Sequence, residues 1–210
     1  YSFINITFKN TIGDILDLTK QFKFLQNYTI FVPLNIKIFD IDDDKETKKD
    51  NINEFVKEGC NLYLYSPYYG NGKTTWAIKL MSKYFSNIWP GNGTRCRGLF
   101  INVDEFLMKK RAAIKTPDPR LEEIEKLIPT VDLVIWDDIG VTRLKEYDHQ
   151  ILFSLINPRI ANNKANIFTS NVIDDDLDDN IGGRLANRIL DTSVIVEFKN
   201  KPQRKPKEII

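Results

Sequence analysis

The sequence predicts an α/β protein of three layers, with a central parallel five-stranded sheet between helices. Two observations in the pattern carry this expectation. Short apolar runs alternate with segments of helical periodicity, and several runs are apolar on both faces, as strands covered from both sides must be. Size is the third observation: 210 residues, 42% hydrophobic and 28% charged, fill one core and leave little for a second full domain.

The elements follow in chain order. Residues 11–27 place Ile12, Ile15, Leu16, Phe22 and Leu25 at near-helical spacing, which predicts a short amphipathic helix. Residues 40–50 are almost uninterrupted charge and suit a solvated linker. The expected organisation is an N-terminal helical appendage with an acidic linker over 1–50 and a main domain over 51–210, opening with a helix near 51–58. Strands are expected at 61–65, 98–103, 131–136, 165–169 and 193–198, with a helix over 73–85 after the first. The segment between the second and third strands is long for a plain crossover. Thr116-Pro117-Asp118-Pro119 divides it into helices over 104–114 and 120–128, because proline cannot continue a helix. The acidic run 174–179 reads as a solvated loop.

Thirty Lys+Arg against 29 Asp+Glu leave a formal charge of +1, which excludes a strongly basic nucleic-acid coat and an acidic disordered tail as the whole account. No apolar run approaches the ~20 residues of a membrane span, and no charged-then-apolar leader opens the chain. The expectation is a soluble, cytoplasmic protein without membrane attachment. Cys60, Cys96 and the single His149 are too few for a four-ligand Cys/His zinc site; the cysteines read as small apolar fillers. Tyr1 in place of an initiating methionine leaves open whether a further segment precedes it.

The first strand runs into Ser66-Pro67-Tyr68-Tyr69-Gly70-Asn71-Gly72-Lys73-Thr74-Thr75 and then a helix. Strand, glycine-containing turn and helix are the context of a phosphate-binding loop, in which successive backbone N–H groups face an anion. The candidate nucleotide-binding residues are Pro67, Tyr69, Gly70, Asn71, Gly72, Lys73, Thr74 and Thr75. Lys73 would lie between the β- and γ-phosphates of ATP, and Thr74 would bind Mg²⁺ through its hydroxyl. Proline at position 67 stands where GxxxxGK[ST] has its first glycine, and an ordinary glycine turn before a helix carries similar letters. Val131-Asp132-Leu133-Val134-Ile135-Trp136-Asp137-Asp138 is a buried strand ending in two carboxylates, a Walker B pattern. Asp137 is assigned to magnesium and Asp138 to activation of the attacking water. Asn171, closing Ile167-Phe168-Thr169-Ser170-Asn171, offers a neutral amide to that water or to the γ-phosphate. Arg184 and Arg188 lie four apart on one predicted helix face, either as a surface pair or as cations that reach a neighbouring subunit's nucleotide.

The four motifs together resemble the AAA+ ATPases, a branch of the P-loop NTPases, and within them the bacterial and phage helicase loaders of the DnaC/DnaI type. The likeness rests on VIWDDIG around the acids, TSN after the next strand and GGRLANRI, and covers roughly 51–204. It implies an ATPase with ATP and Mg²⁺ as cofactors and with Lys73, Thr74, Asp137 and Asp138 at the nucleotide. It further implies Asn171 as sensor 1 and Arg184 or Arg188, with Arg188 favoured, as an arginine finger acting in trans. It implies a truncated lid, with Arg204 either a sensor 2 arginine or part of a solvated basic tail. The helical element inserted between the second strand and Walker B would line a single-stranded DNA channel, for which Lys109, Lys110, Arg111 and Lys115 are the candidate phosphate contacts. A solvated helix face gives the same letters. The implied partners are a hexameric replicative helicase, single-stranded DNA and further copies of the chain in DNA replication. Alternatives with the same fold are the accessory ATPase of a transposition system and a catalytically weak, nucleotide-dependent binding module.

Overall fold

A computed structural model of the chain describes residues 4–5, 51–88, 96–173 and 175–199. The expected helix over 11–27, the acidic linker over 40–50 and the basic tail with Arg204 lie outside the described residues. The strands are β1 (Ile4–Asn5), β2 (Asn61–Tyr65), β3 (Gly98–Asn102), β4 (Leu133–Asp137), β5 (Ala165–Ser170) and β6 (Ser193–Glu197). The helices are α1 (Asn51–Glu58), α2 (Lys73–Ile88), α3 (Val103–Ala113), α4 (Pro119–Leu127), α5 (Glu146–Ala161), α6 (Asp175–Ile181) and α7 (Gly183–Thr192).

Every strand pair is parallel, in the order β1-β6-β2-β5-β4-β3. This is the expected five-stranded sheet with the two-residue β1 added beside β6. The alternation of side chains along a strand builds two cores from one sheet. Tyr63, Val134, Trp136, Phe168 and Ile195 face one side, where Phe106, Leu107, Leu152, Ile156, Leu185 and Ile189 cover them. Leu64, Leu133, Ile135, Ile167 and Val196 face the other, under Ile52, Val56, Ala77, Met81 and Phe85 of α1 and α2. Each Val, Leu, Ile, Phe or Met side chain withdrawn from water contributes about 1.5–3 kcal/mol before entropy is counted.

The inserted element is two helices, as expected. Asp118 accepts the Arg120 N–H at 3.0 Å and Pro119 opens α4, where a missing donor costs nothing. One expectation fails: the acidic run is not a solvated loop throughout, because residues 175–181 form α6 with Leu177 and Ile181 in the core. Two apolar residues four apart recruit the turn, while Asp175, Asp176 and Asp179 are exposed.

Beneath the N-terminal edge of the sheet lies a buried polar knot. Arg159, 1% exposed, donates to the carbonyls of Ile128 (2.5 Å), Val131 (3.0 Å) and Ala165 (2.6 Å) and to Asn166 Oδ1 (2.8 Å). Asn166 also accepts from Trp136 Nε1 at 3.1 Å and donates to Asn61 Oδ1 at 2.8 Å. Burial lowers the guanidinium's pKa, with Asp132 opposing, and the carbonyls supply the partners that a buried cation needs.

At the opposite edge, strand order sets the site. β5 stands between β2 and β4, so the turns leaving β2, β4 and β5 emerge side by side at the carboxyl ends. Open parallel sheets bind ligands in that crevice.

Candidate nucleotide-binding site

The turn after β2 is held from below before it meets any ligand. Ser66, fully buried, donates through Oγ to the Phe198 carbonyl at 2.7 Å and accepts the Tyr68 N–H at 3.3 Å. That side-chain turn bends the chain at Pro67, where the motif has a glycine. Among the described loop residues the first positive φ comes at Gly70 (74°), followed by Gly72 (97°), so Pro67 needs no conformation that its ring forbids. Pro67, Tyr68 and Tyr69 are exposed, Tyr69 at 65%. α2 begins immediately at Lys73 and carries no acid in its first turn, so its positive end is left for an anion. Thr75 is half-buried in that turn.

Lys73 is 5% exposed, with Nζ on the Tyr68 carbonyl at 3.2 Å and on Asn71 Oδ1 at 3.3 Å. Burial pulls its pKa down to about 8, against the charges of Asp138 and Asp137. Asp137, also 5% exposed, receives the Thr74 and Thr169 hydroxyls on the same oxygen, Oδ1, each at 2.8 Å. Burial raises its pKa to about 6, the Asp138 charge adds to the rise, and hydrogen bonds from Thr74, Thr169 and Asn102 oppose it. Asp138 takes the left-handed region at φ 56°, which a residue with a Cβ rarely adopts, and its N–H is held by Thr169 Oγ1 at 3.0 Å. Asn171 reaches across to the loop and donates to the carbonyls of Ser66 (2.9 Å) and Tyr68 (3.0 Å).

Lys73, Thr74, Asp137, Asp138 and Asn171 thus stand at one sheet edge. The hydroxyl and carboxylate oxygens of Thr74 and Asp137, in contact and largely dry, are the hard donors that Mg²⁺ takes alongside waters and phosphates. Three consecutive residues at the end of β5 each serve a different segment. Thr169 holds the acids, Ser170 donates to the Ile139 carbonyl at 2.6 Å, and Asn171 holds the loop. Sequence reasoning picked out Asn171 and missed Thr169. Its signal was a hydroxyl directly after the apolar pair Ile167-Phe168 on a buried strand. Ser66 and Phe198 were missed as well, and only the contact between β2 and β6 brings them together.

The arginines stand elsewhere. Arg184 and Arg188 are exposed on α7 and line a groove of about 520 Å³ against Phe153 and Asn157 of α5, with no residue of the phosphate loop in its lining. The Arg184 guanidinium lies over the Phe153 ring at 4.6 Å from its centroid. On the inserted helix three of the four candidate cations are ion-paired: Lys109 with Glu105 at 2.6 Å, Lys110 with Glu125 at 2.7 Å and Arg111 with Asp148 at 2.7 Å. Asp148 is 1% exposed, which makes Arg111 the counter-charge of a buried carboxylate. Lys115 is exposed just beyond α3. Among the described residues no helix is long and apolar enough to cross a membrane.

Comparison with known proteins adds the family. The model of the IstB-like ATP binding protein family matches residues 36–208. Among curated proteins no match is found. Among solved structures the DnaC helicase loader superposes with a TM-score of 0.58 at 18% identity, covering 84% of this chain and 99% of that one. DnaI gives 0.57 at 20% identity, over 79% of this chain and 88% of that one. The replication initiator DnaA bound to AMPPCP and single-stranded DNA gives 0.59 at 18% identity, over 78% of this chain and 49% of that one. The expected AAA+ fold is borne out, and with it the reading of the chain as an ATPase. A match over most of the sequence, on a fold that brings the phosphate loop and the paired acids to one edge, places this chain in the family of IstB-like ATP-binding proteins.

Proposed function

We propose that the protein is an ATP-dependent helicase loader of DNA replication, acting in the cytoplasm. The observation that carries the reading is the separation of its two cationic centres. Lys73 lies among the acids of one site, while Arg184 and Arg188 line an open groove apart from it. A site divided in this way is completed by a second copy of the chain, so that hydrolysis depends on assembly.

In this reading ATP lies along the loop, its phosphates on the backbone N–H groups and on Lys73. Asp138 accepts the proton of a water that attacks the γ-phosphorus, and the bond to the bridging oxygen breaks as ADP leaves with that electron pair. Asn171 orients the water or the γ-phosphate, and Arg188 or Arg184 of a neighbouring copy offsets the charge gathered in the transition state. Thr74 and Asp137 would hold Mg²⁺, which supplies electrostatic stabilisation to the phosphates when bound. Single-stranded DNA is read by its backbone through Lys109, Lys110, Arg111 and Lys115. Since three of these are ion-paired in the free protein, DNA must compete with Glu105, Glu125 and Asp148, and Lys115 makes first contact. Residues before Asn51 receive the helicase. Likeness in fold to the DnaC helicase loader and to DnaI supports this assignment.

The test is turnover of MgATP by the full chain with single-stranded DNA and the host's replicative helicase present. The expected rate exceeds that of Lys73→Ala by at least about a hundredfold. A wild-type rate equal to the Lys73→Ala rate would reduce the protein to a nucleotide-dependent binding module. Copurification with a transposase instead of a helicase would move it to the transposition reading.

A further inference from the structure

We propose that Asn71 is a positioning residue that holds the Lys73 ammonium in the nucleotide-free loop, so that ATP must take the lysine from a partner inside the protein. The proposal rests on the nucleotide reading above and adds a regulator of affinity to the same site.

Its basis is the pair of contacts made by one buried amide. Asn71, 7% exposed, accepts from Lys73 Nζ through Oδ1 at 3.3 Å and donates through Nδ2 to the Phe198 carbonyl at 3.3 Å. The partners fix the orientation of the amide. An ammonium can only donate and a carbonyl can only accept, so rotating the group by half a turn would break both contacts. The Phe198 carbonyl is itself anchored, since it accepts from Ser66 Oγ at 2.7 Å, and the Phe198 N–H donates to the Tyr65 carbonyl at 2.8 Å. Trp76 of α2 meets the Phe198 ring edge-on at 6.0 Å between centroids. Asn71 is therefore a peg set in the exit of β6, with its oxygen presented to the lysine.

The second holder of the ammonium, the Tyr68 carbonyl, is shared with the sensor amide, because Asn171 Nδ2 lies 3.0 Å from the same oxygen. At 5% exposure Lys73 has little water to fall back on, so these protein oxygens stabilise the nucleotide-free state. When phosphates arrive the ammonium transfers to them. Asn71, still tied to Phe198, keeps its place and gives up a charged partner. Whatever stabilises the lysine before binding is subtracted from the affinity for ATP. The side chain at position 71 thus sets how tightly the loop holds nucleotide.

The prediction has a sign that damage to the loop does not share. The full chain is titrated calorimetrically with a non-hydrolysable ATP analogue and Mg²⁺ at fixed pH. Asn71→Ala, which removes the holding oxygen, is expected to tighten binding about threefold to tenfold. Asn71→Asp, which puts a carboxylate against the ammonium and before the phosphates, is expected to weaken it more than tenfold. Ser66→Ala removes the other hydrogen bond to the Phe198 carbonyl, and the Tyr68 N–H contact with it, while Asn71 Oδ1 stays on Lys73; it is expected to leave affinity unchanged or lower. Should Asn71→Ala not fold, Asn71→Ser, too short to hold the ammonium yet polar in the turn, is read for the same tightening. Weaker binding in Asn71→Ala or Asn71→Ser, with wild type binding normally, overturns the proposal and leaves the nucleotide reading standing. Equal tightening in Ser66→Ala assigns the effect to the tether and overturns it too. An analogue that does not bind wild type overturns both.

Discussion

Among the buried cations, Arg159 and Lys73 stand at opposite edges of one sheet, and they are treated differently. Arg159, at the amino-terminal edge, is bound by carbonyls of Ile128, Val131 and Ala165 and by Asn166 at 2.5–3.0 Å. Lys73, at the carboxyl edge, has its two contacts at 3.2 and 3.3 Å and lies near two carboxylates, one of them as buried as itself. The first arrangement meets the needs of a charge withdrawn from water; the second meets them in part. A buried polar group left short of partners costs stability, and such costs persist where a ligand later supplies what is missing. The sheet is thus locked at one edge and held ready at the other. Parallel strands allow this, because all their carboxyl ends, and hence all the functional turns, fall on one side.

The largest effect is expected at the locked edge. Arg159→Met keeps the length of the side chain and removes every donor, leaving the carbonyls of Ile128, Val131 and Ala165 buried without their partner. At about 1–3 kcal/mol for each unsatisfied group, partly relieved by relaxation, the loss should be at least about 3 kcal/mol. Denaturant unfolding measures it, and a loss under about 1 kcal/mol would show that the knot is not a lock.

A smaller effect of opposite sign is expected at the other edge. Asp137→Asn retains Oδ1, the atom that accepts from both Thr74 and Thr169, and removes the buried charge. The folded carboxyl titrates at about 6 against an ordinary 3.8, so between those values the folded state binds the proton more tightly than the unfolded chain. Stability of the wild type therefore falls as pH rises from about 4 to about 6, and the full cost is present at pH 7. Asn carries no such cost. Asp137→Asn without nucleotide should be more stable than wild type by about 1–3 kcal/mol at pH 7, and the gain should vanish near pH 4. A gain equal at both pH values would mean that charge is not its source. The same variant should lose Mg²⁺-dependent hydrolysis, since function accounts for the retained cost.

What was legible in the sequence divides along the same line. Strand and helix periodicity gave all five longer strands to within two residues, because burial on both faces leaves short, nearly unbroken apolar runs. That Lys73, Thr74, Asp137 and Asp138 meet was legible because each follows or closes an apolar strand, and parallel strands carry such ends to one side. The acidic run 174–179 misled because its charge outweighed Leu177 and Ile181, whose burial decides the helix. Arg159 gave no signal, since an arginine late in a helix looks solvated until the fold sets three carbonyls around it. Ser66 and Phe198 meet only because β6 pairs with β2, a long-range fact that no local pattern contains.

Thr169 ties both acids of the ready edge to the sheet, and its removal is the subtlest perturbation there. It is fully buried, donates its single proton to Asp137 and accepts the Asp138 N–H. One hydroxyl thereby holds one acid by its side chain and the other by its backbone, the latter at a φ of 56° that the residue would not choose alone. Thr169→Val preserves shape and deletes both bonds; Thr169→Ser preserves both bonds. Because the backbone at Asp138 then loses this hold, the Val variant should lose about tenfold to a hundredfold in turnover with helicase and single-stranded DNA present. Affinity for the ATP analogue should stay within about twofold, as Lys73 and the loop are untouched, and the stability change should be about 1 kcal/mol, the smallest of the three. Ser should recover most of the turnover. A Val variant that turns over at the wild-type rate would mean that Asp138 is held by something other than Thr169. Equal losses in Val and Ser would point to the lost methyl packing and not to the hydroxyl.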